Sequence, residues 1–173
     1  MTPSFRDYSS GVSPRRGPGK RFVLLAALAA LVLCGTATAT LPKLAGRDVL
    51  SGKAVSINSF AGKPVFVNFW GSWCGGCQTE ARTLAAFAKT HERELGFMGV
   101  DVIDSRTAAK AFYERYDTDY PSVWDPRGRI SSAWTRGTPT TLVFDAKHRF
   151  VMRIEGPATL ARLNAALRRV TRR

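Results

Sequence analysis

The architecture of this chain depends on one segment, Val65-Phe66-Val67-Asn68-Phe69-Trp70-Gly71-Ser72-Trp73-Cys74-Gly75-Gly76-Cys77. Its apolar first half predicts a strand that is covered on both faces, and its second half predicts the start of a helix. Residues three apart on a helical turn are surface neighbours, within the Cα separation that a disulfide requires. The helix N-terminus favours a thiolate at Cys74. The segment therefore predicts a dithiol that closes and reopens, which is a redox site.

The chain divides near Pro42 into a front part and one domain. Residues 1–21 are rich in Pro, Gly, Ser and Arg, with five basic residues against Asp7, and we predict a basic, disordered cytoplasmic segment. Residues 22–41 carry no charge and begin with an apolar run, which predicts an export signal or a membrane anchor. Residues 42–173 are the predicted redox domain.

Two fates of the front part remain open. Ala37-Thr38-Ala39 fits an A-x-A cleavage site, and cleavage after Ala39 would release a secreted domain. The uncharged stretch is nevertheless close to the ~20 residues that a spanning helix needs, which slightly favours retention. We therefore expect a domain on the extracytoplasmic side of the cell membrane, held there by its N-terminus.

Cysteine usage and charge narrow the function classes. Cys34 belongs to the front part, so the domain contains only Cys74 and Cys77. A disulfide-reinforced scaffold would have pairs distant in sequence, so this adjacent pair indicates chemistry. The net charge is +13, but an exported domain seldom meets nucleic acid, and we expect no nucleic-acid partner. The basic C-terminus is better explained by a solvated helix face or by anionic lipid head groups.

The order of elements predicts an α/β fold. In chain order we predict a hairpin of 48–50 and 55–57, the strand 65–70, a helix over 76–94, a strand over 97–103, a helix capped by Ser105 and running to Tyr116, a rigid loop over 120–126, strands over 140–144 and 150–154, and a closing helix opened by Gly156-Pro157 with Leu160, Leu163, Leu167 and Val170 inward. This order implies a mixed sheet with helices on both faces.

The chain resembles a known family through the segment Gly62 to Cys77, through Glu80, and through Gly137-Thr138-Pro139-Thr140. It is similar, from about Leu44 to Val170, to the extracytoplasmic thiol–disulfide oxidoreductases of the TlpA, ResA and DsbE (CcmG) type. The resemblance implies a thioredoxin fold, in which a mixed central sheet is flanked by helices. It also implies a central helix–loop insertion and a cis peptide bond before Pro139, in addition to the N-terminal hairpin predicted above.

The resemblance and the predicted helix together suggest a role for each site residue. Cys74, at the exposed start of the helix, is the candidate nucleophile, and Cys77, one turn inward, would resolve the mixed disulfide. Glu80 is the candidate proton acceptor for Cys77, against the alternative of a solvated helix carboxylate. The candidate substrate-binding residues are Trp73, Gly75, Gly76, Thr138 and Pro139. Half of a zinc site is disfavoured because no second ligand pair exists, and we expect neither a metal nor another cofactor.

Three residues depart from the family pattern. Gly76 stands where the family usually has proline between the cysteines, and Ala81 stands where proline often follows the glutamate. Asn68 occupies the position of the buried aspartate of ordinary thioredoxins and cannot take a proton. A Gly-Gly pair lets the reduced loop sample more conformations than Gly-Pro, so we expect a shifted reduction potential, of a sign that the sequence leaves open.

The predicted function is that of an exported, monomeric reductase of protein disulfides. The resemblance suggests apocytochrome c as the substrate and a membrane thiol carrier as the electron donor. A disulfide-forming oxidase remains an alternative within the same chemistry. A Sco-like copper chaperone is disfavoured by the two-residue cysteine spacing, although copper binding at His148 would revive it. A peroxiredoxin is disfavoured because neither thiol has a Pro-x-x-x-Thr-x-x-Cys setting.

Overall fold

The structure is a computed structural model and describes residues 43–172. The predicted cytoplasmic segment, the signal or anchor region and the cleavage site after Ala39 lie outside the described residues. Within residues 43–172, no helix is both long enough and apolar enough to cross a membrane.

Seven strands, four α-helices and one 3₁₀ helix make up the described part of the chain. They are β1 (Ala45–Arg47), β2 (Ala54–Ser56), the 3₁₀ helix (Ile57–Phe60), β3 (Val65–Trp70), α1 (Gly75–Thr90), β4 (Gly96–Val102), α2 (Arg106–Tyr116), β5 (Ser122–Asp125), α3 (Ser131–Trp134), β6 (Thr140–Phe144), β7 (Phe150–Glu155) and α4 (Leu160–Thr171). The strands β1 and β2 form a small hairpin, and the other five form one sheet in the order β5-β4-β3-β6-β7.

The central sheet is mixed, as predicted. β4 runs parallel to both β3 and β5, whereas β6 runs antiparallel to β3 and β7. This topology, with an N-terminal hairpin and flanking helices, is the thioredoxin fold expected from the sequence.

β3 lies at the centre of the sheet, and all six of its residues are buried. Its side chains alternate between the two faces because successive residues of a strand point to opposite sides. Phe66 and Trp70 pack in one cluster with residues of α1, α2 and α4. Val65, Val67 and Phe69 pack in a second cluster, against which the hairpin, the 3₁₀ helix and Trp134 of α3 lie. The sheet therefore carries the end of β3, and the cysteines that follow it, on a scaffold supported from both sides.

The predicted rigid loop over 120–126 is wrong, because Ser122–Asp125 forms the edge strand β5. Val123 pairs with Val100 of β4, and the Ser122 N–H donates to Asp48 Oδ1 at 2.8 Å. The insertion is thus a helix followed by a strand. A four-residue strand between Pro121 and Pro126 leaves little local signal, and its hydrogen-bond partners are distant in sequence.

The hairpin and the closing helix have different bounds from those predicted. Asp48 lies in the turn, where its Oδ2 accepts hydrogen bonds from the N–H and the hydroxyl of Ser51 at 2.8 and 2.7 Å. α4 begins at Leu160 behind the N-cap Thr159, three residues after Pro157. Leu160 was predicted to point inward but is largely exposed, and Ala166 is buried in α4 together with Leu163.

The other predicted elements agree within a few residues. α1 ends at Thr90 instead of residue 94, and β4 is shifted by one residue to Gly96–Val102. Ser105 caps α2 as predicted, since its Oγ accepts from the Ala108 N–H at 3.1 Å.

Candidate active site

Cys74 and Cys77 form a disulfide at the start of α1, with their Cα atoms 5.2 Å apart. Cys74 is the N-cap of the helix, and its Sγ accepts a hydrogen bond from the Cys77 N–H at 3.1 Å. Cys74 was predicted to be exposed but is only 6% exposed in this disulfide form, while Cys77 is 1% exposed. The order of accessibility is the predicted one, and the attack on a substrate must come from the side of Cys74.

The N-terminal end of α1 favours negative charge on Cys74. No acidic side chain lies in the first turn of α1 to oppose the positive end of the helix dipole. The Cys77 N–H that contacts Cys74 Sγ would stabilise a thiolate at the same place once the disulfide opens. The helix terminus therefore supplies what a nucleophilic sulfur needs.

The loop that precedes the disulfide is held by hydrogen bonds from a neighbouring segment. The Ser72 N–H donates to Asp104 Oδ2 at 2.6 Å, and the Trp73 indole N–H donates to the Val102 carbonyl at 3.0 Å. Trp73 nevertheless keeps 58% of its surface exposed. Its ring is thus fixed in direction and accessible beside Cys74, as a substrate-contacting side chain should be.

The Thr138–Pro139 peptide bond is cis, as predicted. Gly76 lies against the ring of Pro139 and also against Pro157, so the residue between the cysteines and the cis proline are in contact. Among the described residues, neither the N–H nor the carbonyl of Thr138 has a hydrogen-bond partner. Free backbone groups beside a disulfide can pair with an extended segment of another protein.

Glu80, three residues after Cys77 in α1, is buried, with 3% of its surface exposed. Its Oε1 accepts from Asn68 Nδ2 at 2.9 Å, and its Oε2 accepts from the Ala158 N–H. Burial raises the pKa of Glu80 to about 7, although the hydrogen bonds from Ala158 and Asn68 and the charge of Arg162 act in the opposite direction. The alternative of a solvated carboxylate is wrong, and a buried carboxyl group in this range is suited to exchanging protons near neutral pH.

Sequence reasoning missed the residues that hold Glu80. Asn68 donates both to Glu80 and to Thr141 Oγ1, the latter at 3.1 Å, and so links β3, α1 and β6. Asn68 was visible as a lone polar residue within an apolar strand, but Ala158 acts through its backbone, which leaves no signal in the sequence.

A second buried acid lies on β4, at the side of the site. Asp101 is completely buried, and neither of its carboxylate oxygens has a hydrogen-bond partner among residues 43–172. Burial, the facing carboxyl group of Asp104 and the charge of Asp125 raise the pKa of Asp101 to about 8. Asp104 is the residue that holds Ser72, so this acid pair adjoins the loop before the cysteines.

No group of three or more His, Cys, Asp or Glu residues in the described part of the chain could hold a metal ion. His148 lies in the turn between β6 and β7, and its Nε2 is 3.3 Å from the Phe60 carbonyl oxygen.

Comparisons with known proteins agree with this geometry. Residues 37–152 match the AhpC/TSA family. The thiol-disulfide oxidoreductase ResA of Bacillus thuringiensis subsp. konkukian (strain 97-27) is 30% identical over 124 residues, which cover 70% of this chain and 72% of that protein.

Two solved structures share the fold and are more than a quarter identical in sequence to this chain. A secreted thiol-disulfide isomerase from Corynebacterium glutamicum is 27% identical, with a TM-score of 0.68 over 76% of this chain and 86% of that chain. A thiol:disulfide interchange protein of the thioredoxin family from Chlorobium tepidum TLS is 26% identical, with a TM-score of 0.67 over 75% of this chain and 94% of that chain.

Proposed function

The chain belongs to the AhpC/TSA family, and from that premise we propose that it is an exported reductant of protein disulfides. It is a thiol–disulfide oxidoreductase, the activity that its relative ResA is named for. The direction of electron flow, the location and the substrate are the proposed parts.

One observation carries the proposal: the Cys74–Cys77 disulfide lies at the start of α1, about one turn before the buried carboxyl group of Glu80. The helix terminus stabilises a thiolate on Cys74. Glu80, with a pKa of about 7, can take up and return a proton at the pH where exchange occurs.

The reaction transfers two electrons from the dithiol to a substrate disulfide. The Cys74 thiolate attacks one substrate sulfur, a mixed disulfide forms, and the substrate S–S bond breaks with its electron pair on the other substrate sulfur. The Cys77 thiolate then attacks Cys74 Sγ, which re-forms the Cys74–Cys77 bond and releases the second substrate sulfur as a thiolate. The protein ends oxidised and the substrate reduced.

Glu80 acts as the proton acceptor in the second step, the attack of Cys77 on Cys74 Sγ. Cys77 is buried and must lose its proton before it can attack, and a neighbouring carboxylate that accepts it keeps the charge within the site. In the opposite direction, when the protein is itself reduced, the same carboxyl group returns the proton. Its hydrogen bonds to Asn68 and Ala158 keep it in place for both steps.

Export is supported by the front part of the sequence. An uncharged, largely apolar stretch follows a basic segment, as in export signals and N-terminal anchors. The similar protein from Corynebacterium glutamicum is described as secreted. We propose that the domain works outside the cytoplasm, retained by residues 22–41 or released by cleavage after Ala39.

Apocytochrome c is the substrate that we propose, and a membrane thiol carrier is the proposed electron donor. Attachment of haem through thioether bonds requires free cysteine thiols, so a reductant is needed where other exported cysteines become oxidised. A monomer with an accessible Trp73 and free backbone at Thr138 suits a transient protein substrate.

The midpoint potential tests the direction of electron flow. A value below about −230 mV is expected for a reductant, whereas a value near about −120 mV would identify an oxidase. Reduction of insulin disulfides by the purified domain should accompany the lower value. Rapid turnover of hydrogen peroxide without disulfide exchange would instead indicate a peroxidase.

Trapping tests the substrate. A Cys77→Ala variant forms the mixed disulfide but cannot release it, so covalent adducts should accumulate on Cys74 in cells. Cytochrome c polypeptides among the adducts would support the proposal, and their absence when other exported proteins are trapped would contradict it. A Cys74→Ala/Cys77→Ala variant, which has no nucleophile, is the matched control.

A further inference from the structure

Ile103 has a backbone conformation that its side chain disfavours. Its φ is 48°, in the left-handed region, where a β-branched residue is a genuine outlier. Its side chain is also 61% exposed, which makes it the most exposed large apolar residue in the described part of the chain. An apolar side chain that is both strained and exposed contributes little to the free energy of folding, and such outliers occur at functional sites.

The surrounding structure holds Ile103 in place. Its N–H donates to the Asp125 carbonyl at 3.0 Å, which continues the pairing of β4 with β5 by one residue. Its Cδ1 lies 3.1 Å from the position that a Cβ on Gly128 would take, so the absence of a side chain at Gly128 gives the isoleucine room. The side chain is therefore presented in a defined direction.

Ile103 adjoins the candidate active site. The residue before it, Val102, provides the carbonyl that accepts the Trp73 indole N–H, and the residue after it, Asp104, holds the Ser72 N–H. Trp73, which precedes Cys74, and Ile103 are thus two exposed apolar side chains on loops that these hydrogen bonds join. The other exposed large apolar residues, Leu50, Phe150 and Leu160, belong to the hairpin turn, β7 and α4.

We propose that Ile103 determines substrate specificity by contacting an apolar side chain that flanks the disulfide of a protein substrate. This inference rests on the proposed function and narrows it to disulfides with an apolar neighbour. Contact with substrate would bury the exposed part of Ile103 while Cys74 attacks, so the gain appears only in the complex. The conformation of residue 103 is what directs the side chain toward that neighbour.

The test compares three disulfides with the reduced protein in stopped-flow measurements of tryptophan fluorescence. Two are synthetic disulfide peptides that differ at one residue next to a cysteine, leucine in one and serine in the other, and the third is oxidised glutathione. We expect the unaltered protein to react about tenfold faster with the leucine peptide, the lower end of the range for one apolar contact.

Three substitutions separate the contact from the backbone strain. Ile103→Gly should abolish the preference for leucine, leave the rate with oxidised glutathione unchanged, and raise the thermal midpoint because glycine accepts a positive φ. Ile103→Ala should abolish the preference without that gain in stability. Ile103→Leu should keep the preference.

Asp117→Gly is the matched control, because Asp117 also has a positive φ, 54°, but caps the far end of α2. This variant should gain stability and keep the preference for leucine. A preference that survives in Ile103→Gly would overturn the inference while the proposed function stands. Failure of the unaltered protein to exchange with any of the three disulfides would overturn both.

Discussion

Gly76 lies directly against Pro139: a Cβ placed on Gly76 would be 3.0 Å from Pro139 Cδ and 3.3 Å from its Cγ. These contacts are tight but leave room for a small displacement. Gly76 is also the second residue of α1, where the peptide N–H has no partner within the helix. A proline at this position would therefore fit the backbone and lose no helix hydrogen bond.

Gly76→Pro should lower the midpoint potential of the pair. Proline restricts the loop mainly in the reduced form, where Gly-Gly samples many conformations, so it favours the closed disulfide. A gain of about 0.4–1 kcal/mol corresponds to a fall of about 10–20 mV. Redox titration against glutathione measures the shift. Gly76→Ala, which introduces the contact with Pro139 without the ring, should shift the potential less, and a rise in Gly76→Pro would contradict the argument.

Glu80→Gln should slow the resolving step and remove its dependence on pH near neutrality. The pKa of Glu80 is raised to about 7, so the ionised fraction that can accept the Cys77 proton grows as the pH rises through that value. At pH 7 we expect the rate of the resolving step to fall by at least about tenfold. This is a conservative figure, because general base catalysis usually contributes more. Release of a thiol from a preformed mixed disulfide measures this step. Glu155→Gln removes an exposed carboxylate and should leave the profile unchanged.

Asn68→Ala should move the inflection in the pH profile of the resolving step to higher pH. The variant removes a hydrogen bond to the ionised form of Glu80, so the pKa of that group rises further. A hydrogen bond to a charged group contributes about 1.5–3 kcal/mol, which corresponds to a shift of about one to two pH units. Thr141→Val leaves the bond between Asn68 and Glu80 intact, and its inflection should stay in place. Equal profiles in the two variants would refute the assignment.

Asp101→Asn should stabilise the protein at alkaline pH. The pKa of Asp101 is raised to about 8 in the folded protein, so between about pH 4 and 8 the folded state binds one more proton than the unfolded state. The contribution of this group to the free energy of unfolding therefore falls as the pH rises across that window, and Glu80 acts in the same sense up to about pH 7.

Urea denaturation at pH 5 and pH 9 measures the effect of Asp101→Asn. Asparagine cannot ionise, so the gain in stability of the variant over the unaltered protein should be larger at pH 9 than at pH 5 by about 2–4 kcal/mol. Glu114→Gln, which removes an exposed carboxylate from α2, should show no such difference. A destabilised Asp101→Asn at pH 9 would mean that ionised Asp101 has a partner.

The central fold was predictable because its signals are local. Five apolar residues in β3 and the cap Ser105 can be recognised within a short window. β5 could not be recognised in this way, because it is stabilised by pairing with β4 and by the hydrogen bond from Ser122 to Asp48, 74 residues away.

The chemistry of the site was predictable in part for the same reason. Helical spacing predicted the pairing of Cys74 with Cys77, which the structure joins in a disulfide, and it placed Glu80 in the same helix, where the structure buries it. The conformation of Ile103 and the burial of Asp101 depend on neighbours from other elements, such as Gly128 and Asp125. The residues close to Ile103 and Asp101 in sequence show no pattern that predicts either feature.

The link between Ala158 and Glu80 has a consequence for biosynthesis. The two residues are 78 positions apart, and Arg162 secures the intervening bend through the carbonyls of Glu155 and Pro157. A chain that ends before this bend would keep Cys74 and Cys77 but would lack the Ala158 N–H that donates to Glu80. Because α4 also covers one face of the sheet, such a truncated chain should fail to fold stably instead of acting as a slower oxidoreductase.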